Sequence, residues 1–185
     1  VTMRVERYDL FLDVSFQNLR FDGKSVITIE STEDIFLNSL GLHISNVSSN
    51  GRTYGFEQKD DSLTVKSGHF KGKLEIQYSG KIPDTLAGIY KAPYDGTYII
   101  TTDFEAANAR RLLPCVDHPE YKAEFKLTVR MDKDLDAISN TPFESVKIED
   151  GKKVVSFQRT PRMSTYLLYL GVGKFEEIKG RLNST

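Results

Sequence analysis

The 185-residue sequence holds no tryptophan and a single cysteine, Cys115. One thiol cannot form an internal disulfide, so packing and hydrogen bonds have to hold the fold, as suits a reducing compartment such as the cytoplasm. Histidine is scarce too. His43, His69 and His118 are the only three, and no two stand at the i, i+4 spacing that puts paired imidazoles on one helical face. The formal net charge is only -1, which removes the basic footprint of a nucleic-acid binder. No long basic run marks a membrane surface, the apolar runs fall far short of a bilayer span, and Val1–Arg4, followed directly by a strand pattern, is not expected to be a secretory leader. A Gly-x-Ser-x-Gly elbow and a phosphate-binding loop are both missing. Asp117-His118-Pro119-Glu120 sets acids beside an imidazole. The internal proline and the short ligand count argue against a closed metal site there. Acidic pairs such as Asp117 and Glu120 are too ordinary among 26 acidic residues to mark an independent hydrolase. Cys115 reads as a small buried apolar residue, since a nucleophile needs a nearby base and a lowered pKa.

What the sequence does have is alternation. Tyr8, Leu10, Leu12, Val14 and Phe16 recur at every second position, with Asp9, Asp13 and Ser15 between them and Phe11 as the exception. This predicts a half-buried strand. Asp22-Gly23 marks a turn, and Ser25–Glu30 is its return strand. Shorter strands are predicted at 35–37, 42–47, 53–57, 62–66, 73–78 and 98–102. Ala123, Phe125, Leu127 and Val129 alternate with Glu124, Lys126, Thr128 and Arg130, while Asp150-Gly151 turns a hairpin between 145–148 and 153–158. Thr165–Val172 is continuously apolar enough for a strand buried on both faces. One stretch differs. Glu105–Leu113 is rich in helix formers and is stopped by Pro114, which predicts one short helix near 105–113. The expected fold is all-β: an antiparallel β-saddle or sandwich of about ten or more strands in one domain.

Three blocks carry more than periodicity. The first is Gly88-Ile89-Tyr90 with Thr101-Thr102-Asp103-Phe104-Glu105 and Ala109-Arg110-Arg111. The second runs from Pro114 through Cys115-Val116-Asp117-His118-Pro119-Glu120-Tyr121-Lys122 to Ala123. The third is Thr160-Pro161-Arg162-Met163-Ser164-Thr165-Tyr166-Leu167-Leu168, followed by Gly173-Lys174-Phe175. Together, in this order and spacing, they resemble the N-terminal domain of the gluzincin zinc aminopeptidases. That family includes aminopeptidase N, leukotriene hydrolase and the archaeal tricorn-interacting aminopeptidases, the last of these nearest in appearance. The likeness runs from Tyr8 to Phe175. It implies that residues 1–185 form the N-terminal β-saddle of a larger cytoplasmic enzyme, packed on its own thermolysin-like catalytic domain. The family's His-Glu-x-x-His zinc helix, downstream Glu ligand and Gly-x-Met-Glu-Asn loop do not occur in this sequence. The resemblance therefore assigns the zinc to the full-length enzyme, with no cofactor in this chain, and implies that the chain alone is inactive.

The resemblance also distributes roles. It makes Glu105 the residue that binds the free α-amine of a peptide substrate. A carboxylate held at a fixed distance from zinc lets an enzyme count one residue from the N-terminus, and such a charge-assisted bond is worth about 1.5–3 kcal/mol. From the residues alone, Glu105 belongs to a helix's first turn and meets its dipole, worth about 0.3–1 kcal/mol. Asp103 stands where the family usually has Gln lining the pocket for the first side chain. An Asp there points either to a preference for Lys or Arg, or simply to a cap on the short helix. Pro114, Asp117, Pro119, Lys122 and Arg110 read as architecture: the prolines fix the loop, Asp117 binds nearby amides, and Lys122 or Arg110 neutralises it. Tyr90 reads as core or cleft wall, Met163 and Tyr166 as packing residues. The rival reading is a non-catalytic β-sandwich module that presents an apolar face or strand edge to a partner protein.

Overall fold

A computed structural model describes residues 2–176. The alternating segments form strands, beginning with the hairpin of β1 (Met3–Ser15) and β2 (Arg20–Ser31). In β1, Val5 is buried and so are Tyr8, Leu10, Leu12 and Val14. A register slip between Val5 and Arg7 reconciles the odd and even positions. An extra residue in one strand of a pair swaps the faces beyond it, so both sets point inward. Phe11 is left on the outer face, 36% exposed.

The following strands are β3 (Ile35–Asn38), β4 (His43–Ser49), β5 (Arg52–Thr53), β6 (Phe56–Lys59), β7 (Ser62–Val65) and β8 (Phe70–Lys81). Then come β9 (Gly88–Tyr94), β10 (Thr97–Asp103), β11 (Glu124–Asp132), β12 (Asp136–Ser139), β13 (Phe143–Glu149), β14 (Lys152–Phe157) and β15 (Leu170–Gly173). They assemble into an eight-stranded sheet in the order β13-β14-β11-β1-β2-β8-β4-β5, a four-stranded sheet β12-β15-β10-β9 and a three-stranded sheet β3-β7-β6. The inner residues of the large sheet, Tyr8, Leu12, Ile27, Leu74, Ile76, Phe125 and Val129, share one core with Ile35, Leu37, Leu63 and Val65 of the smallest sheet and Ile100, Leu170 and Val172 of the other. The domain is all-β, as expected. Among the described residues no helix is long and apolar enough to cross a membrane.

Four local expectations are corrected. Asp22-Gly23 is not a turn: both residues lie inside β2, opposite Asp13 and Leu12, and the chain reverses at 16–19 instead, because the cross-strand pairing with β1 and β8 continues through them. The sheets are not wholly antiparallel: β1 and β11 run parallel, with Tyr8 opposite Phe125 and their rings stacked 5.0 Å apart. Alternation reports which face a residue occupies, and both directions share that period of two. The segment 105–113 is no continuous helix. It is a turn followed by a single 3-10 turn, Ala109–Arg111. Its backbone is claimed from outside, because the Arg110 N–H donates to the Asp117 carboxylate at 3.3 Å instead of to a preceding carbonyl. Local propensity is a weak prior against such a contact. Finally, 165–172 splits into a 3-10 turn, Thr165–Leu167, and the short strand β15. Ser164 and Thr165 spend their hydroxyls on Pro119 and Asp117, which bends the chain before it joins the sheet. Only β15, between β12 and β10, is buried along its whole length.

Candidate functional site

The chain leaves the four-stranded sheet at Asp103, the last residue of β10, which lies opposite Gly88 at the start of β9. Gly88 adopts φ +74°, and a Cβ there would sit 2.6 Å from Cδ of Arg111, so only glycine lets the Arg111 stem cross this point. Phe104 then plunges into the core at 1% exposure, while Glu105, Ala106 and Ala107 stand exposed. The anchored phenyl ring and a set of hydrogen bonds fix the turn between them. Asp103 Oδ1 accepts the Glu105 N–H at 3.1 Å, and Asn108 N–H donates to the Phe104 carbonyl at 3.0 Å. Asn108 Nδ2 donates to the Glu105 carbonyl at 2.8 Å, and Arg111 Nε donates to Asn108 Oδ1 at 3.1 Å. The Glu105–Ala106 peptide is cis. Glu105 is thus tied down through its backbone, while its carboxylate has no hydrogen-bond or ion-pair partner among the described residues. Asp103 does cap, but it caps this turn and not a helix, using one of its two oxygens.

The Pro114–Ala123 block lies apart as a polar knot under the sheet edges. The Asp117 side chain is 1% exposed and that of Arg110 15%. Arg110 Nε donates to Asp117 Oδ2 at 3.0 Å, and Thr165 Oγ1 donates to Asp117 Oδ1 at 2.7 Å. Asn38 Oδ1 accepts the Asp117 N–H at 3.1 Å, and Asp61 pairs with Arg110 from the outer side. Burial works against the Arg110 charge, yet the hydrogen bonds and charges of Asp117 and Asp61 outweigh it and raise its pKa further. Arg110 is therefore the countercharge. Lys122 is exposed and makes no ion pair among the described residues; its carbonyl accepts from Arg162 at 2.9 Å. Pro114 is buried, whereas Pro119 is exposed and uses its carbonyl to accept from Ser164 Oγ at 2.7 Å. Asn38, Asp61 and Asn108 are not singled out by the sequence, and Arg111 and Thr165 stand in the motif blocks without an assigned role. Of the first three only Asn108 left a signal, as a turn-favouring residue inside an otherwise helical run.

Other candidates resolve simply. Cys115 is fully buried, and burial, followed by the Asp117 charge, pushes its thiol well above the ordinary range. That is the opposite of an activated nucleophile. Its backbone pairs with Asn38 in a β-bridge. Tyr90 is half-buried on β9, opposite Thr101. Met163 and Tyr166 pack against the core. Among the described residues no three of His, Cys, Asp and Glu converge as a metal site.

The family model Peptidase M1 N-terminal domain matches residues 4–167. The chain belongs to this family. Probable aminopeptidase 2 of Sulfurisphaera tokodaii is 51% identical over 179 residues, covering 96% of this chain and 23% of its own length. Leucyl aminopeptidase of Saccharolobus solfataricus is 50% identical over 179 residues, again 96% of this chain and 23% of its own. Tricorn protease-interacting factor F2 of Thermoplasma acidophilum is 42% identical over 174 residues, 93% of this chain and 22% of its own. This M1 N-terminal domain thus spans less than a quarter of the length of these relatives. Its described residues offer no donor set for the zinc that the family implies, so no step of metal chemistry is assigned to them.

Proposed function

We propose that this M1 N-terminal domain anchors the free amino end of a peptide for a zinc aminopeptidase whose catalytic domain lies elsewhere in a longer, cytoplasmic protein. The observation that carries this reading is the state of Glu105: a carboxylate without a partner among the described residues, on a turn whose backbone is fixed at Glu105 and Asn108. Two free acceptor oxygens on a fixed backbone suit an ammonium, which brings three donors and no acceptor. Preorganisation by Phe104, Asp103 and Asn108 removes the ordering cost that a free loop would incur on binding. The remaining Asp103 oxygen places a second negative charge beside the first substrate side chain and favours Lys or Arg there. In the full-length enzyme Asp103→Gln lowers the Lys-to-Leu ratio of kcat/KM; an unchanged ratio means that Asp103 only caps the turn.

The reading is tested by peptide hydrolysis with the full-length protein. Free peptides lose their N-terminal residue, N-acetylated ones are cut far more slowly, and chelation abolishes turnover while the N-terminal domain stays folded. Chelator-insensitive or endopeptidase cleavage would count against it. A second reading, a non-catalytic interaction module, has one observation in its favour. Edge strand β13 carries Phe143, Val146 and Ile148 at 51%, 52% and 59% exposure. An unpaired edge with apolar side chains is a template for strand addition. Partner capture that survives Glu105→Ala but fails when Val146 and Ile148 become lysine favours that reading over the first.

A further inference from the structure

A second cluster of charge lies beside the acidic turn and shares Arg111 with it; the aminopeptidase reading uses Arg111 only to hold Asn108 and leaves Arg20 and Lys81 without a role. β2 and β8 are antiparallel neighbours, and at their ends Arg20 lies directly opposite Lys81. Cross-strand partners bring their Cβ atoms to about 4.5–5.5 Å, and like charges placed so are destabilising. Arg20 and Lys81 line a cleft of about 430 Å³ together with Arg111, His43 and Ser79. No Asp or Glu is among its lining residues. Asp22 follows two positions along β2 on the same face, opposite Ser79, but does not line the cleft.

Several other cations of the outer face have acidic partners, Lys24 with Glu75, Lys71 with Glu30 and Arg130 with Asp13, while Lys73 of β8 stands alone among the described residues without a second cation opposite it. Arg20, Lys81 and Arg111 form no ion pair among the described residues, although the chain as a whole is slightly acidic. Three cations lining one concave site raise the local potential and concentrate anions. Arginine forks add bidentate geometry suited to carboxylate and phosphate oxygens.

The geometry points to an oxyanion site: the cleft between the end of β8, the turn before β4 and Arg111 binds a small ligand that carries two or more adjacent anionic groups, phosphates or carboxylates. The ligand relieves the Arg20–Lys81 repulsion and draws its third contact from Arg111. That residue also holds Asn108, which in turn holds the Glu105 carbonyl. The site does not depend on the aminopeptidase reading and is tested on the 185-residue chain itself.

The test titrates the chain at low ionic strength with inorganic pyrophosphate and, separately, with citrate, followed by calorimetry and by amide chemical shifts. Saturable one-to-one binding of either probe is expected, with shifts centred on residues 20, 41–43, 79–81, 87–89 and 111. The tighter probe assigns phosphate or carboxylate as the ligand chemistry. Arg20→Gln, Lys81→Gln and Arg111→Gln each weaken binding about tenfold, the loss of one charge-assisted contact. Lys71→Gln, a cation outside the cleft, leaves it unchanged. Without anion, Arg20→Gln and Lys81→Gln also raise the melting temperature, because each removes the cross-strand repulsion. Non-saturable binding, equal affinity in all four variants, or shifts scattered over the whole cationic surface overturns the proposal.

Discussion

Replacing Asp117 by alanine should destabilise the domain by about 3 kcal/mol. Its carboxylate accepts from Arg110 Nε at 3.0 Å, from the Arg110 N–H at 3.3 Å and from Thr165 Oγ1 at 2.7 Å. Removing one partner of a buried ion pair costs about 3–5 kcal/mol, because the other charge is left uncompensated. The lower end applies, since Arg110 keeps Asp61 and is not fully buried. For a domain of this size each kcal/mol moves the melting temperature by about 2–4 °C, so thermal unfolding followed by circular dichroism should show a fall of about 6–12 °C. Asp117→Asn should cost less, about 1–2 kcal/mol. The amide keeps an oxygen for Arg110 and turns its NH2 towards Thr165, whose hydroxyl then accepts. A double-mutant cycle with Arg110→Ala isolates the coupling. A fall of less than 2 °C in Asp117→Ala, or purely additive single mutants, would refute the reasoning that this knot holds the loop.

Two further outcomes follow from the core. Gly80→Ala should destabilise by about 1–3 kcal/mol by overpacking, because a Cβ at Gly80 would lie 2.4 Å from the buried Phe21 ring. Gly55→Ala, where a Cβ meets nothing within 4 Å, should be neutral or slightly stabilising, and urea unfolding of the two variants beside the parent chain checks both outcomes. The raised Cys115 pKa has a sign that can be checked. The unfolded thiol ionises near its ordinary value of about 8.5, while the folded thiol stays protonated. The contribution is thus complete below that pH and is lost as pH rises above it, at up to about 1.4 kcal/mol per pH unit. Unfolding free energies measured from pH 8 to 10.5 should fall less steeply in Cys115→Ala than in the parent chain; identical slopes would contradict the assignment. The buried Tyr8 and Tyr78 phenols add the same trend at higher pH in both proteins.

Much of the large sheet is legible in the sequence, because one wet face and one dry face force a period of two. The alternation in β1 and β11 names their buried residues almost one by one, whereas the Asp22-Gly23 pair hides the first half of β2 behind a turn signal. What escapes is whatever depends on distant chain. The parallel pairing of β1 with β11 joins residues more than a hundred positions apart and leaves no local mark. β9 opens with a positive-φ glycine and contains Pro93, which is tolerated because β9 is an edge strand. The run 105–113 is a good helix by propensity, yet Asp117 takes the Arg110 amide and stops the ladder from forming. Composition offers Arg110 and Lys122 as equal partners for Asp117, and only tertiary geometry chooses Arg110. Glu105 and Asp103 look unremarkable by periodicity; the resemblance of the three blocks is what singles them out.

The central claim is that Glu105 receives a substrate ammonium, and the most direct measurement is selectivity for the free amine. In the full-length enzyme, Glu105→Ala and Glu105→Gln are compared with the parent on a free peptide and on its N-acetylated form, with zinc content and melting temperature checked alongside. Loss of one charge-assisted contact worth about 1.5–3 kcal/mol predicts a fall in kcat/KM of about 10–200-fold for the free peptide in Glu105→Ala, and a smaller fall in Glu105→Gln. A rise in KM alone indicates a contact made equally in ground and transition states, whereas a fall in kcat shows that it also aligns the scissile bond. Either way, the ratio of free to acetylated turnover should drop sharply. A folded, zinc-loaded Glu105→Ala enzyme that keeps the parent's ratio would contradict the account and remove Glu105 from the site.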